Sequence, residues 1–308
     1  MEVTVFNRGQ RVAPVPLPDS VTRILGDRTE HAEFVTRLRD EPRFDVVVDM
    51  IGRGANDAHS LLRAVRGRVR QVLFCSSVEV YAPTAATLPI TEDATTGPPT
   101  EYGRDKLVCE TILLRAERQA DLSVSVIRLG HVYGEGGGIA FGFSHESQYL
   151  EHLRQGKAII VPDEGPGFCA PCHVDDVARA FVAAVGKERA FGRTYHLSGD
   201  ERVTWDAYNR LVAEAAGAPA PRLVHIRPTT VTPSAPVPIL SKSFKYAALD
   251  VSRARDELGF QCTVALRDGL TRSVRWLDAN RVTADHANGP YEQMLASWDQ
   301  AGVRRPAP

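Results

Sequence analysis

Apolar and polar positions along the first half of the chain change period repeatedly. Val3, Val5 and Phe6 stand among polar residues in the two-residue rhythm of a strand over Glu2–Asn7. Phe44–Ile51 contains a near-continuous β-branched run, as expected for a strand covered on both faces. Arg23–Gly26, Arg70–Ser76 and Ser123–Leu129 read as further strands. Between them His31–Arg39, Asn56–Arg66 and Tyr102–Gln119 carry the three-to-four residue spacing of helices. Strand–helix alternation predicts right-handed crossovers, a parallel sheet and an α/β fold with helices on both faces. After Gly134 the texture changes. Glycine and proline punctuate 134–138 and 162–171, a helix is expected over Asp175–Val185 and a strand over Arg193–Leu197. The proline-rich stretch Pro219–Pro238 reads as an irregular connector. One amphipathic helix is expected near Tyr291–Trp298.

Composition narrows this picture only modestly. The 308 residues are 43% hydrophobic and 24% charged, ordinary for a globular protein, and the net charge of -1 argues against a polyanion-binding footprint. No uninterrupted apolar run approaches membrane-spanning length, and residues 1–20 do not read as a secretory signal. Five cysteines, an odd number, point to reduced thiols and a cytoplasmic protein. Only five of the 37 basic residues are lysines, an arginine bias that fits a GC-rich genome.

The sharpest chemistry lies in "EYGRDKLVCE". Tyr102 and Lys106 are four apart on a predicted helix and share a face. A phenol titrates near ~10 in water, too high for acid–base work at neutral pH. A neighbouring ammonium is expected to lower it. Tyr102 then exchanges a proton with a substrate oxygen. Upstream, "VLFCSSVEVYA" is a strand ending in Ser76 and Ser77. A serine at the carboxyl end of a parallel strand sits where such sheets bind ligands, and Ser77 can hold the substrate oxygen.

Ser-Ser-x-x-Val-Tyr, then Tyr-x-x-x-Lys, "RLGHVYG", "HVDDVARA", "TYHLSG", "LDVSRARDELGF" and "LRDGLTRSVRWL" follow one another over residues 2–278. This order resembles the extended short-chain dehydrogenase/reductases, most closely their nucleotide-sugar epimerase/dehydratase branch. The resemblance implies a Rossmann-type doubly wound parallel sheet with a smaller C-terminal α/β substrate-binding region. It places the nucleotide-binding domain at 1–133 plus 172–198, the substrate region at 134–171 plus 199–278, and a tail at 279–308. Ser77, Tyr102 and Lys106 match the catalytic serine, tyrosine and lysine, the lysine also binding the nicotinamide ribose. Asp27 matches the acidic residue beside the adenine, and Met50, Ile51 and Gly52 the strand end lining the cofactor. Arg128 to His131 match the loop next to nicotinamide and substrate. Asn7 stands where NAD-type members have an acidic residue, with Arg8 beside it, which favours NADP(H) over NAD(H). Val78, Glu79, His131 and the stretch from Phe141 to His145 are the expected substrate contacts. Members acting on nucleotide sugars usually place an arginine where this chain has Cys169. Arg154, Lys157, Arg222 and Arg227 are the available substitutes. A homodimer is expected through the Tyr102 helix and the helix before it, Leu107, Ile112, Leu113 and Leu114 giving apolar surface.

Three stretches tempt other readings. "CAPCH" at Cys169–His173 spells a haem-attachment or redox motif, but no export signal or second ligand pair accompanies it, so the motif reads as accidental and no metal is expected, with reversible thiol oxidation as the residual alternative. Gly52-x-Gly54 follows a strand, but Asp57 occupies the third-glycine position and repels pyrophosphate. The third is the opening itself. The family places a strand, a Gly-x-x-Gly-x-x-Gly loop and a helix, roughly two dozen residues, ahead of the strand that opens this chain. The expectation is a misassigned start, a GUG valine codon read as Met1, with a real deletion as the alternative. The function expected is NAD(P)-dependent oxidation, reduction, epimerisation or dehydration at a secondary alcohol or carbonyl of a small molecule or sugar. The alternatives are a non-redox lyase or cyclase, a cofactor-sensing protein and, against the charge, an RNA-binding relative. No nucleic-acid or membrane partner is expected.

Overall fold

Strand and helix alternate from the start of the chain. In order come β1 (Thr4–Asn7), β2 (Thr22–Leu25), α1 (His31–Asp40), β3 (Val46–Asp49), α2 (Gly54–Val65) and β4 (Gln71–Ser77). A 3-10 turn (Val78–Val80), α3 (Glu101–Glu117), β5 (Ser123–Leu129), β6 (Val132–Tyr133), α4 (Glu146–Arg154), β7 (Ala158–Pro162), β8 (Phe168–Cys169) and β9 (Cys172–His173) follow. The remainder is α5 (Val174–Ala184), β10 (Thr194–Leu197), β11 (Val203–Thr204), α6 (Trp205–Ala215), β12 (Arg222–Ile226), α7 (Ser252–Leu258) and α8 (Leu266–Ala279). The structure is a computed structural model and describes residues 1–10, 15–82, 88–118, 122–139, 146–162, 168–226 and 249–280. The expected helix near Tyr291–Trp298 lies outside these residues. The chain forms two units. One comprises Met1–Gly130, Val177–Leu197 and Leu249–Gln261, the other His131–Asp176, Ser198–Ala248 and Cys262–Pro308.

In the first unit a parallel sheet runs in the order β10-β5-β4-β3. Its register pairs Gln71 with Ser123 through Ser77 with Leu129, so β4 and β5 end level. Strand alternation sends Val72, Phe74, Val124 and Val126 to one face, where they pack with Phe34, Ala58, Leu61, Cys109 and Leu113 from α1, α2 and α3. Leu61 and Leu113 are fully buried, a contribution of about 1.5–3 kcal/mol each. Gln71 points to the opposite face and donates to the Ala184 carbonyl at the end of α5. Helices therefore cover both faces, the doubly wound arrangement expected from the alternating pattern. β1 and β2 pair in parallel as a separate two-stranded sheet. The Phe6 ring meets Phe34 of α1 edge-on at 5.1 Å. The buried Arg28 guanidinium fastens this corner, donating to Ser60 Oγ and the Asp57 carbonyl, both at 2.7 Å, and facing Asp49 Oδ2 at 3.4 Å.

The second unit is built from short strand pairs and helices. β6 pairs β9 and β7 pairs β12 in parallel, and β8 pairs β11 antiparallel. Its core joins Tyr133, Ile139, Leu153, Trp205, Tyr208, Leu270 and Val274. The expectation of an irregular connector over Pro219–Pro238 is corrected at its start. Arg222–Ile226 is a strand, because Leu223 and Val224 find partners on β7 far upstream. Local proline content does not reveal such a partner. Among the described residues no helix is long and apolar enough to cross a membrane.

Candidate active site

Ser77 closes β4 and opens the 3-10 turn, its hydroxyl accepting the Glu79 amide hydrogen at 3.2 Å. The next helix is capped by Thr100, whose hydroxyl accepts from the Gly103 amide and donates to Glu79 Oε2 at 2.8 Å. Glu79 therefore ties the turn to the start of α3. Gly103 completes the junction. A Cβ there would strike the Glu79 carbonyl and lie 2.8 Å from Pro98. The helix can approach the turn only because this position has no side chain. That approach sets Tyr102, in the first turn of α3, near Ser77, whose hydroxyl is one of the groups that pull the phenol pKa down.

Lys106 lies one turn further along and is 2% exposed. Its ammonium donates to the Gly52 and Cys75 carbonyls, each at 2.9 Å, one from the turn after β3 and one from β4. It stands 5.8 Å from the centre of the Tyr102 ring. The expected lowering of the tyrosine pKa does not emerge in the chain by itself. Burial pushes the Tyr102 phenol above its ordinary value, with Cys75 and Glu79 adding to the rise, while the Ser77 hydroxyl and the Arg53 charge oppose it. Arg53 stacks 5.3 Å from the Tyr102 ring centre and pairs with Asp105 at 3.1 Å.

One turn beyond Lys106 is Glu110, a residue the motif reading passed over. Its carboxylate accepts from Ser76 at 2.5 Å and takes a two-pronged contact from Arg128, Nε at 3.0 Å and Nη2 at 2.7 Å. Arg128 Nη1 donates to the Tyr81 hydroxyl and the Glu92 carbonyl, and Tyr81 Oη meets His196 Nε2 at 2.5 Å. Burial disfavours a charged His196, whose pKa falls to about 4. The Arg128 side chain thus belongs to a buried network behind the strand ends. The signal was available as the four-residue spacing of Tyr102, Lys106 and Glu110 on one helix face.

Of the residues expected to meet a dinucleotide, Asn7, Arg8, Met50 and Ile51 are exposed, whereas Gly52, Lys106 and Arg128 are buried. Asn7 Oδ1 accepts from the Gly9 amide, where φ of 64° suits glycine. Arg8, at the end of β1, pairs with Asp27 after β2 at 3.7 Å. Asp27 also accepts from Thr29, whose backbone hydrogen bond is the main reason its carboxyl stays below the usual range. After β3 the buried Asp49 carboxylate accepts from the Ile51 and Gly52 amides. This holds Met50 and Ile51 outward, 49% and 60% exposed. The Gly52-x-Gly54 turn is closed by its own helix, since Asp57 Oδ2 accepts from the Arg53 amide at 2.8 Å while Oδ1 meets His31.

Of the expected substrate residues, Ser77 and Glu79 stand as described and Val78 is buried beside them. His131 belongs to the second unit, where its Nε2 meets the Gly138 carbonyl at 2.6 Å. Burial lowers its pKa to about 4, so the ring is neutral. Phe141 and His145 lie outside the described residues. Cys169 is 3% exposed in the second core. It therefore offers no donor where nucleotide-sugar enzymes place arginine, and Arg154 is paired with Asp278. "CAPC" is split, Cys169 on β8 and Cys172 on β9.

Residues 1–197 match the model of the NAD dependent epimerase/dehydratase family. A chloroplast stem-loop binding protein of 41 kDa from Arabidopsis thaliana is 30% identical over 296 residues, 92% of this chain and 74% of the relative. The 2'-dehydrokanamycin reductase of Streptomyces kanamyceticus is 32% identical over 217 residues, 70% of this chain and 60% of that enzyme. Among solved structures, a UDP-glucuronic acid 4-epimerase from Bacillus cereus, determined with UDP-glucuronic acid and NAD, superposes with a TM-score of 0.69. It covers 91% of each chain at 18% identity.

Proposed function

Because the chain belongs to the NAD-dependent epimerase/dehydratase family, we propose that it is an NAD(P)-dependent enzyme interconverting a secondary alcohol and a ketone on a small molecule or sugar. The net outcome is reduction, epimerisation or dehydration. The observation that carries this reading is Tyr102 placed near Ser77 and one helical turn from the buried, carbonyl-anchored Lys106. A pure binding module has no need of that arrangement.

Ser77 Oγ and Tyr102 Oη converge on one substrate oxygen. In the oxidising direction Tyr102 takes the hydroxyl proton, and in the reducing direction it returns one. When bound, the nicotinamide accepts or supplies the hydride. Lys106 would hold the nicotinamide ribose, with Met50, Ile51 and Gly52 lining it. Asn7, Arg8 and Asp27 would take the adenosine end. The exposed apolar Met50 and Ile51 fit a planar ring, and Gly52 keeps the strand end narrow, a Cβ there lying 2.7 Å from the Asp49 carboxylate. The turn before α2 does not fit a pyrophosphate, because Asp57 already occupies it. The finer preference for NADP(H) rests on Arg8 beside the neutral Asn7. Burial of Tyr102 gives the reading a pH signature. Alcohol oxidation needs the phenolate, and its raised pKa means that kcat/KM still climbs with pH above the ordinary phenol range. The buried Cys169 argues for a substrate without a nucleoside diphosphate.

We assign the protein to the cytoplasm, its five cysteines being free thiols. The assembly proposed is a homodimer through α3. Leu113 is used by the unit's own core, while Val108 is 40% exposed on that helix. Titration of NADH and NADPH fluorescence against the folded chain tests the function. Saturable binding supports it. Loss of both signals leaves the non-redox lyase, cyclase or sensor. The name of the plastid relative raises RNA as a second ligand. The net charge of -1 lacks the basic footprint that phosphate contacts require, so salt-sensitive binding of a stem-loop RNA would favour that reading instead.

A further inference from the structure

Cys172 does not partner Cys169, its neighbour in the sequence motif. It partners Cys262, ninety residues downstream by the numbering. The two sulfurs and an Asp176 oxygen all lie within 4.8 Å of one another. Cys172 is on β9 and 1% exposed, whereas Cys262, in the segment leading to α8, is partly exposed. We propose that Cys172 and Cys262 form a reversible disulfide, a modification site in the second unit with a peroxide as oxidant.

Their environments divide the labour. Each thiol donates to a backbone carbonyl, Cys262 to Ser198 at 3.6 Å and Cys172 to His173 at 3.8 Å. The neighbouring Cys172 sulfur is the main cause of the lowered Cys262 pKa, against burial and the Asp200 and Asp176 charges. Cys172, facing the Cys262 sulfur and buried, is pushed up. The partly exposed Cys262 is therefore the thiolate that meets oxidant, and Cys172 is the resolving thiol. The Cys262 thiolate attacks one oxygen of hydrogen peroxide, the O–O bond breaks, and Cys262 sulfenic acid and hydroxide form. Cys172 sulfur then attacks the Cys262 sulfur, the S–O bond breaks and water leaves. The two thiols and one peroxide become one disulfide and two waters.

A metal is a poorer occupant of the same cluster. Structural zinc takes four ligands, and the cluster offers three among the described residues. The Asp176 carboxylate already accepts from the Thr263 amide, the Thr263 hydroxyl and the Val264 amide. Those bonds hold the chain just after Cys262 against the start of α5, which keeps the sulfurs near each other. Disulfide formation brings the two sulfurs from within 4.8 Å of each other to a bonding distance of about 2.05 Å.

The experiment treats the full chain with hydrogen peroxide, alkylates remaining thiols and maps tryptic peptides by mass. Cys169 and Cys172 share the peptide between Lys157 and Arg179, and Cys262 lies between Arg255 and Arg267. The expected result is a cross-link joining those two peptides, reversed by dithiothreitol and retained in Cys169→Ser. Cys262→Ser abolishes it while preserving the fold by circular dichroism. The oxidised chain also melts higher than the reduced one, because the link closes a long loop. An internal link between Cys169 and Cys172 would overturn the proposal. So would five alkylatable thiols after peroxide, a Cys262 stopped at sulfinic acid, or stoichiometric zinc that shields the pair. None of these readouts depends on cofactor binding or turnover.

Discussion

Two ends of the first unit are built to different rules. Around Ser77, Tyr102 and Lys106 the side chains already have neighbours, the Glu79 amide on Ser77, Arg53 over the Tyr102 ring and two carbonyls on Lys106, and Lys106 and Glu110 are each only 2% exposed. Around Arg8, Asp27, Met50 and Ile51 the backbone is held by short self-contained turns while the side chains face solvent. The first end is organised before any ligand arrives. The second has contacts to make, since exposed apolar and charged side chains at strand ends gain from a bound partner what they lack alone. The comparison predicts that changes at the fixed end damage chemistry or fold, and that changes at the open end alter ligand preference with the fold intact.

Tyr102→Phe is the largest expected effect. It keeps the ring and its burial and removes the one proton carrier. Turnover of the substrate, once found, is expected to fall by about 10²–10⁴-fold with little change in melting temperature. Retained turnover would move the acid–base role to another group. Glu110→Ala comes next. It leaves Arg128 buried without its carboxylate, for a loss of about 3–5 kcal/mol read by denaturant unfolding. A loss under about 1 kcal/mol would mean that the network is not what fixes this end.

The two ends also differed in how readable they were. Strands and helices of the first unit follow from periodicity because each buries a regular face. β5 over Ser123–Leu129 matches its expected bounds, and α3 starts one residue before Tyr102. Ser77, Tyr102 and Lys106 were legible as a motif. What joins them was not. Lys106 looked like a charge aimed at the phenol, yet its donors go to two carbonyls that only the folded strands bring together. Arg128 looked like a cofactor contact because its position in the chain was visible and its partner Glu110, on another element, was not. The neighbour of Cys172 was hidden in the same way, since a cysteine three residues away is visible in sequence and one ninety residues on is not. Local pattern reports which face is buried. It does not report which distant side chain is opposite.

Gly103→Ala tests the junction between the two rules. The new Cβ collides with the Glu79 carbonyl and crowds Pro98, so the start of α3 must move away from the 3-10 turn. The expected destabilisation is about 1–3 kcal/mol, with turnover falling further than stability alone explains because Tyr102 leaves Ser77. A variant that unfolds normally but keeps full turnover would show that this close approach does not position the tyrosine.

Arg8→Ala carries the smallest expected effect and probes the open end. Arg8 faces solvent, and its contact with Asp27 at 3.7 Å is loose. Removing it leaves the melting temperature almost unchanged, since exposed pairs add little. If Arg8 meets a 2′-phosphate, the variant weakens NADPH binding by about tenfold at low salt, and the loss shrinks as salt is added. NADH binding changes little, because its ribose carries hydroxyls there, and the ratio of the two affinities is the measurement. An equal effect on both cofactors would make Arg8 a general electrostatic contributor. No effect on either would leave Asn7 and Asp27 to choose between the dinucleotides, and the open end would then be less specific than its exposed charge implies.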